Sequence, residues 1–151
     1  MKAFTLIEVL VSVVILILMI TGIYNVLNIG NISYNTNLGL LDLQQNSRQA
    51  MGWMVRELRE SSPGDIEIGG ENNQITFDTL NEEDIQYYRD TQENQIIREY
   101  PTGATRILAN NIENLNFYLN GSLLEIQVAA RKVQAPDLSY FLKERVRLRN
   151  E

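Results

Sequence analysis

An uncharged stretch near the start of the chain constrains its fold more than any other feature of the sequence. Val9 to Ile29 is predominantly apolar, and no charged residue lies between Glu8 and Asp42. A helix of about 21 residues is about 32 Å long, which matches the hydrocarbon thickness of a bilayer. A helix in the core of a soluble protein would carry a polar face. We therefore predict a transmembrane helix over Val9 to Ile29.

The composition of the chain excludes several classes of function. It has no cysteine and no histidine, so thiol chemistry, disulfides and the commonest general base and metal ligand are all absent. We therefore expect no enzyme, with no catalytic residue, no metal site and no cofactor. The net charge of −6 belongs to the part of the chain from Asp42 onward. An acidic protein of this kind disfavours nucleic acid as a partner, because phosphate binding needs cations.

Two ordinary membrane segments are alternatives to a specialised one. A cleaved secretory signal ends in a small-residue cleavage site, whereas the uncharged character of this chain continues to Leu41. A plain single-span anchor has no use for Glu8, which directly precedes the apolar core and would cost a few kcal/mol if buried. Glu8 therefore favours a more specific role than anchoring.

The residues around Glu8 form a recognisable motif. The segment Phe4-Thr5-Leu6-Ile7-Glu8-Val9-Leu10 resembles the prepilin cleavage and methylation motif of type IV pilins and pseudopilins. The resemblance implies that prepilin peptidase removes the leader, residues 1–3, by cutting between Ala3 and Phe4, and then methylates the new amino group of Phe4. Pilins normally have glycine where this chain has Ala3.

The same resemblance implies an assembly role for Glu8. Cleavage makes Phe4 a charged ammonium terminus in an apolar environment, where a lone charge is expensive. A glutamate one helical turn away, or that of a neighbouring subunit, neutralises it. In the pilin family the contact between subunits sets the axial register of the filament. A buried ion pair is better suited to fixing register than to adding stability.

The remaining sequence predicts an α+β fold, in which the long N-terminal helix packs on an antiparallel β-sheet head. We assign residues 4–29 to the transmembrane and filament-core helix, 30–62 to its soluble continuation and 63–151 to the head. No proline precedes Pro63, so the helix can run this far, and Ser61-Ser62-Pro63-Gly64 predicts its end. Residues 22–39 are rich in weak helix formers. They are either a broken junction or, as the resemblance suggests, a segment that melts on assembly.

The head is predicted from short β-prone runs separated by turns, at residues 66–68, 75–80, 85–88 and 96–100. Asn120-Gly121 predicts a type I′ hairpin turn, which places Phe117 opposite Leu124 and Leu115 opposite Ile126. The consecutive acids Glu82-Glu83-Asp84 lack the alternating spacing of a calcium loop, so we predict a solvated turn.

The last predicted strand, residues 139–148, alternates apolar and cationic side chains. A cationic face indicates either an acidic or nucleic-acid partner or, as we favour, the solvated edge of a sheet, where cations prevent unwanted pairing. The cationic face consists of Lys143, Arg145, Arg147 and, one residue beyond this range, Arg149.

The order of the head segments gives a looser resemblance, to the J-class minor pseudopilins of type II secretion and equally to the W-type minor pilins. The segments are those beginning at Ile75, Ile85, Arg106 and Val146. The resemblance implies a minor subunit at or near the tip of a pilus or pseudopilus. Before assembly it would lie among the lipids of the bacterial inner membrane, with a single span and its C-terminal head outside the cytoplasm, in the periplasm or at the cell surface.

The implied partners are prepilin peptidase, other pilins or pseudopilins, and the inner-membrane assembly platform. Lys2, ahead of the span, gives a weak positive-inside signal for the same orientation. The alternative is a single-pass, membrane-tethered binding module that does not polymerise.

Overall fold

The computed structural model describes residues 5–132 and 135–149, with the backbone alone at 135–137. The chain separates into two compact units, Met1–Leu38 and Gly39–Glu151, which we describe in turn. Helix α1, Leu6–Leu58, provides the described helical part of the first unit and continues into the second. The predicted α+β class is confirmed, with a long apolar helix followed by antiparallel sheets.

In the first unit, every described side chain is exposed. By length and composition α1 can cross a membrane, and none of its most apolar window is buried within the structure. Two of its hydroxyl groups in this unit are satisfied within the helix: Ser12 donates to the Glu8 carbonyl at 2.7 Å and Thr21 to the Ile17 carbonyl at 2.8 Å. Such bonds let hydroxyl side chains lie in an apolar environment. The helix is continuous through Gly22 and Gly30, and no break interrupts the stretch of weak helix formers.

The second unit contains two antiparallel sheets, where the sequence had indicated only one sheet. The first sheet is five-stranded and follows chain order. Its strands are β1 (Ile66–Gly69), β2 (Gln74–Phe77), β3 (Ile85–Asp90), β4 (Gln95–Glu99) and β5 (Thr105–Ala109). The second sheet has the order β6 (Ile112–Asn120), β7 (Leu123–Lys132) and β8 (Ala135–Arg147).

Strand β2 ends at Phe77. The sequence had suggested that this strand continues to residue 80. Beyond it the backbone folds into a loop, because the Thr79 amide donates to the Glu82 carbonyl at 2.8 Å and the Asp84 amide to the Asp78 carboxylate at 2.8 Å. The acidic residues Glu82 to Asp84 lie in this loop, as predicted. Strand β5 was not predicted as a strand at all.

The hairpin between β6 and β7 has the predicted faces but a different register. Phe117 pairs with Ile126 and Leu115 with Val128, which is two residues away from the predicted partners. The turn is formed by Gly121 and Ser122, because Asn120 is already paired with Leu123. Gly121 has φ of +61°, which suits the first central position of a two-residue turn.

The core of the second unit lies between α1 and the two sheets. The helix buries Leu43, Ala50, Met51, Met54 and Leu58, at helical spacing. The strands contribute residues that alternate along β2, β3, β6 and β7. They include Ile75, Phe77, Tyr87, Phe117, Leu124 and Ile126, each no more than 1% exposed. The helix ends at Leu58, and a single 3-10 turn at Pro63–Asp65 leads into β1, close to the predicted stop.

A polar network holds the end of α1 against the first sheet. Arg98 on β4 donates from Nε to both Glu57 oxygens, at 3.0 and 3.2 Å, and from a terminal nitrogen to Glu82 at 2.8 Å. The Tyr87 hydroxyl donates to Glu57 at 2.5 Å. The pKa of Tyr87 is raised far above its usual range, mainly by burial and secondly by the hydrogen bond to Glu57. The phenol therefore stays protonated and remains a donor.

The turns of the first sheet close one edge of the second. The Phe117 amide donates to the Asn72 carbonyl and the Ile112 amide to the Asn94 carbonyl, both at 2.8 Å. Asn72 and Asn94 lie in the β1–β2 and β3–β4 loops with φ of 64° and 53°. Asparagine tolerates this left-handed conformation better than most residues. In this conformation the carbonyls of Asn72 and Asn94 accept hydrogen bonds from the amides of β6.

Candidate functional site: the N-terminal motif

The described part of the motif begins at Thr5. The predicted cleavage and methylation residues, Ala3 and Phe4, lie outside the described residues. The structure therefore bears on how Thr5 and Glu8 are arranged at the start of α1.

Thr5 and Glu8 form a reciprocal cap at the helix start. The backbone amide and the hydroxyl of Thr5 both donate to Glu8 Oε2 at 2.9 Å, and the Glu8 amide donates to the Thr5 hydroxyl at 3.4 Å. This arrangement is a capping box, which satisfies amides that the first helical turn leaves without partners. The Thr-x-x-Glu spacing is a readable signal for it, and we did not draw this role for Thr5 from the sequence.

The cap gives Glu8 a second reason to be acidic at this position. A carboxylate at the first turn interacts favourably with the helix dipole. Only Oε2 accepts a hydrogen bond from the residues that the structure describes, so Oε1 keeps its lone pairs for another donor. The geometry is compatible with capping and a further cationic contact at the same time.

The motif is recognised independently of this geometry. Residues 1–24 match the family model of the prokaryotic N-terminal methylation motif. The methylation motif indicates a prepilin peptidase substrate of the type IV pilin and pseudopilin kind. With it, the exposed apolar helix indicates membrane anchoring of a pilin-like protein. Neither a curated protein nor a solved structure is significantly similar to the chain.

The cationic face of the last strand is the other site singled out by the sequence. Strand β8 forms the outer edge of the second sheet, as expected. Glu125 on β7 forms ion pairs with two cations of this face, Lys143 at 2.6 Å and Arg145 at 3.0 Å. Lys143, and after it Gln127 and Arg145, lower the pKa of Glu125 to about 2. Part of this face is thus neutralised within the sheet itself, which favours the solvated-edge interpretation over a binding role.

No group of three or more carboxylates among residues 5–132 and 135–149 is arranged to hold a metal ion. Glu82 in the acidic loop is instead an ion-pair partner of Arg98.

Proposed function

We propose that this protein is a minor pilin or pseudopilin subunit, processed by prepilin peptidase and assembled into a type IV pilus-like filament, at or near its tip. The subunit has no enzymatic activity. The match of residues 1–24 to the methylation motif carries the proposal, and the uncharged, exposed stretch of α1 from Val9 to Leu38 supports it. After processing, α1 joins the core of the filament, Glu8 sets the register, and the head contacts neighbouring subunits or cargo outside the cytoplasm.

The genes that neighbour the gene of this protein would identify the system that the subunit serves. Neighbouring genes for a secretion ATPase and a secretin, with other pseudopilins, would identify a type II secretion pseudopilus. A neighbouring retraction motor would identify a type IV pilus.

Processing is the first test of the proposal. Intact mass spectrometry of the protein extracted from membranes that contain the peptidase is expected to show a chain that begins at Phe4, without Met1, Lys2 and Ala3, and carries one added methyl group. Ala3→Gly should be processed at least as well, because glycine is the usual residue before the cut. Ala3→Leu is the matched control: its bulky side chain should leave the chain beginning at Met1. A wild-type chain that still begins at Met1 would contradict the proposal.

Two glycines test whether α1 unwinds during assembly. Apart from the adjacent backbone of its own helix, a methyl group built on Gly22 or Gly30 meets no atom of the described residues within 4 Å, so alanine fits without strain. Each change to alanine stabilises the helical state by about 1 kcal/mol. If residues 22–39 melt when subunits pack, as pilins suggest, the double variant Gly22→Ala/Gly30→Ala should assemble several-fold less efficiently.

The control for this experiment is Gly52→Ala, which also meets nothing within 4 Å but lies on α1 in the second unit. It should leave the assembled fraction unchanged. Equal incorporation of the double variant and the control into sheared filaments would show that the helix stays intact.

A further inference from the structure

A tryptophan with two arginines forms an exposed cluster on the second unit. Trp53, on α1, is 36% exposed and is the only tryptophan of the chain. The guanidinium carbon of Arg56 lies 4.1 Å from the centre of its ring, and that of Arg106, on β5, lies 4.8 Å away. Both arginines are exposed. We call these three residues the Trp53 cluster.

The arginines of the cluster have no carboxylate partner among the described residues, although the chain as a whole has an excess of acid. Several other cations of this unit are paired, as Arg98 is with Glu57 and Lys143 with Glu125. Stacking on an aromatic face leaves the N–H edge of a guanidinium available for a carboxylate. Stacking also restricts the side chain in advance, which lowers the entropic cost of binding.

Strand β5, which carries Arg106, is an outer edge of the five-stranded sheet, and β4 is its only strand partner in the described part of the chain. An edge strand presents unpaired amide and carbonyl groups and is usually protected by charges, proline or a cover. Ile107 is 54% exposed here, and β5 contains no proline. By contrast, cations protect the β8 edge and the turns at Asn72 and Asn94 close the β6 edge. Strand β5 thus combines free backbone groups, an exposed apolar side chain and a cation.

We infer that β5 and the Trp53 cluster bind an extended acidic segment of a protein partner. The segment adds a strand to β5, packs an apolar side chain on Ile107 and places carboxylates on Arg56 and Arg106. Strand addition draws affinity from main-chain hydrogen bonds and specificity from side chains. Tryptophan and arginine are the residues that most often dominate binding energy at protein interfaces.

A protein segment explains the surface better than nucleic acid does. Phosphates would also contact the arginines, but only a polypeptide strand can pair with the backbone of β5. The net charge of −6 would repel nucleic acid from the rest of the chain. The inference goes beyond the proposed function and does not depend on processing, because it concerns only the second unit.

The cluster supplies its own probe, since all tryptophan emission comes from Trp53. The full-length protein in detergent micelles is titrated with a capped eight-residue peptide of alternating threonine and glutamate. We expect a saturable change in Trp53 emission. A threonine–lysine peptide of equal length should give none, and a fully N-methylated threonine–glutamate peptide should bind at least about tenfold more weakly, because it cannot pair as a strand.

Variants assign the binding to the surface. Arg56→Gln and Arg106→Gln should each weaken binding of the acidic peptide about tenfold, the range expected for a residue that dominates an interface. Ile107→Glu should abolish binding, because it sets like charge against the peptide. Arg147→Gln, which removes an exposed cation from β8 in the other sheet, is the matched control and should leave binding unchanged.

Four results would overturn the inference. They are the absence of a saturable signal with the acidic peptide, equal binding of the N-methylated peptide, and tighter binding of a single-stranded DNA oligonucleotide that depends on the same arginines. The fourth is concentration-dependent self-association of the protein that Ile107→Glu removes, which would assign the surface to a second copy of the chain. None of these results depends on cleavage before Phe4, so they remain distinct from a failure of the proposed function.

Discussion

Glu8→Gln is expected to leave cleavage before Phe4 intact and to prevent incorporation of the processed subunit into the filament. Glutamine can replace glutamate in a capping box, so the hydrogen bonds with Thr5 are retained while the charge is lost. The Phe4 ammonium group then has no counter-charge in the apolar core, at a cost of about 3–5 kcal/mol. The variant should accumulate in the inner membrane, folded and processed. Fractionation of sheared filaments and crosslinking between subunits measure the outcome.

Three further variants separate the charge from the cap. Glu8→Val removes both and should be at least as defective, and Glu8→Asp, which is one methylene shorter, should be intermediate. Thr5→Ala is the matched control, because it weakens the cap by about 1 kcal/mol but keeps the carboxylate. It should assemble nearly as well as the wild type. Incorporation of Glu8→Gln at the wild-type level would remove the register role and favour a tethered module that does not polymerise.

Arg98→Ala is expected to lower the free energy of unfolding of the second unit by about 2–3 kcal/mol. The Arg98 and Glu57 side chains are only 14% and 19% exposed, so solvent compensates little for a lost partner. Removal of one member of a buried pair leaves the other charge uncompensated, which costs about 3–5 kcal/mol when burial is complete. The residual exposure of both groups reduces that figure. Tyr87 retains its hydrogen bond to Glu57 but cannot neutralise the carboxylate.

The control for Arg98 is Arg145→Ala. Arg145 is 62% exposed, and Lys143 still contacts Glu125 after its removal, so the expected loss is below about 0.5 kcal/mol. Urea unfolding followed by Trp53 emission reports on both variants, since Trp53 lies in this unit. Equal stability of the two variants would show that the network at Glu57 contributes no more than an exposed ion pair.

The sequence predicted those parts of the fold that depend on local signals. The apolar helix, its end before Pro63 and the two faces of β8 follow from periodicity and charge, which are properties of neighbouring residues. The roles of Ala3, Phe4 and Glu8 in processing and register stay predictions, because they depend on a peptidase and on neighbouring subunits. The Thr5 cap is also a local feature, because the Thr-x-x-Glu spacing is a capping-box signal that the sequence carries.

The parts that the sequence did not predict depend on contacts between distant residues. Both registers of the β6–β7 hairpin keep Phe117 on the same face, so the alternation of side chains cannot distinguish them. The end of β2 is set by hydrogen bonds of Thr79 and Asp84 across a loop, where the β-prone sequence runs on. Strand β5 exposes three of its five residues and therefore lacks the half-buried pattern that identifies a strand.

The hydrogen bonds from β6 to Asn72 and Asn94 have a consequence for how the second unit comes apart. Each joins an edge strand of one sheet to a hairpin loop of the other. Opening the first sheet therefore leaves the amides of Phe117 and Ile112 without their carbonyl acceptors. Opening the second sheet leaves the two loop carbonyls without their donors. A buried amide without a partner costs about 1–3 kcal/mol. These bonds couple the two sheets, so we expect a pulling force applied to the second unit to open them together.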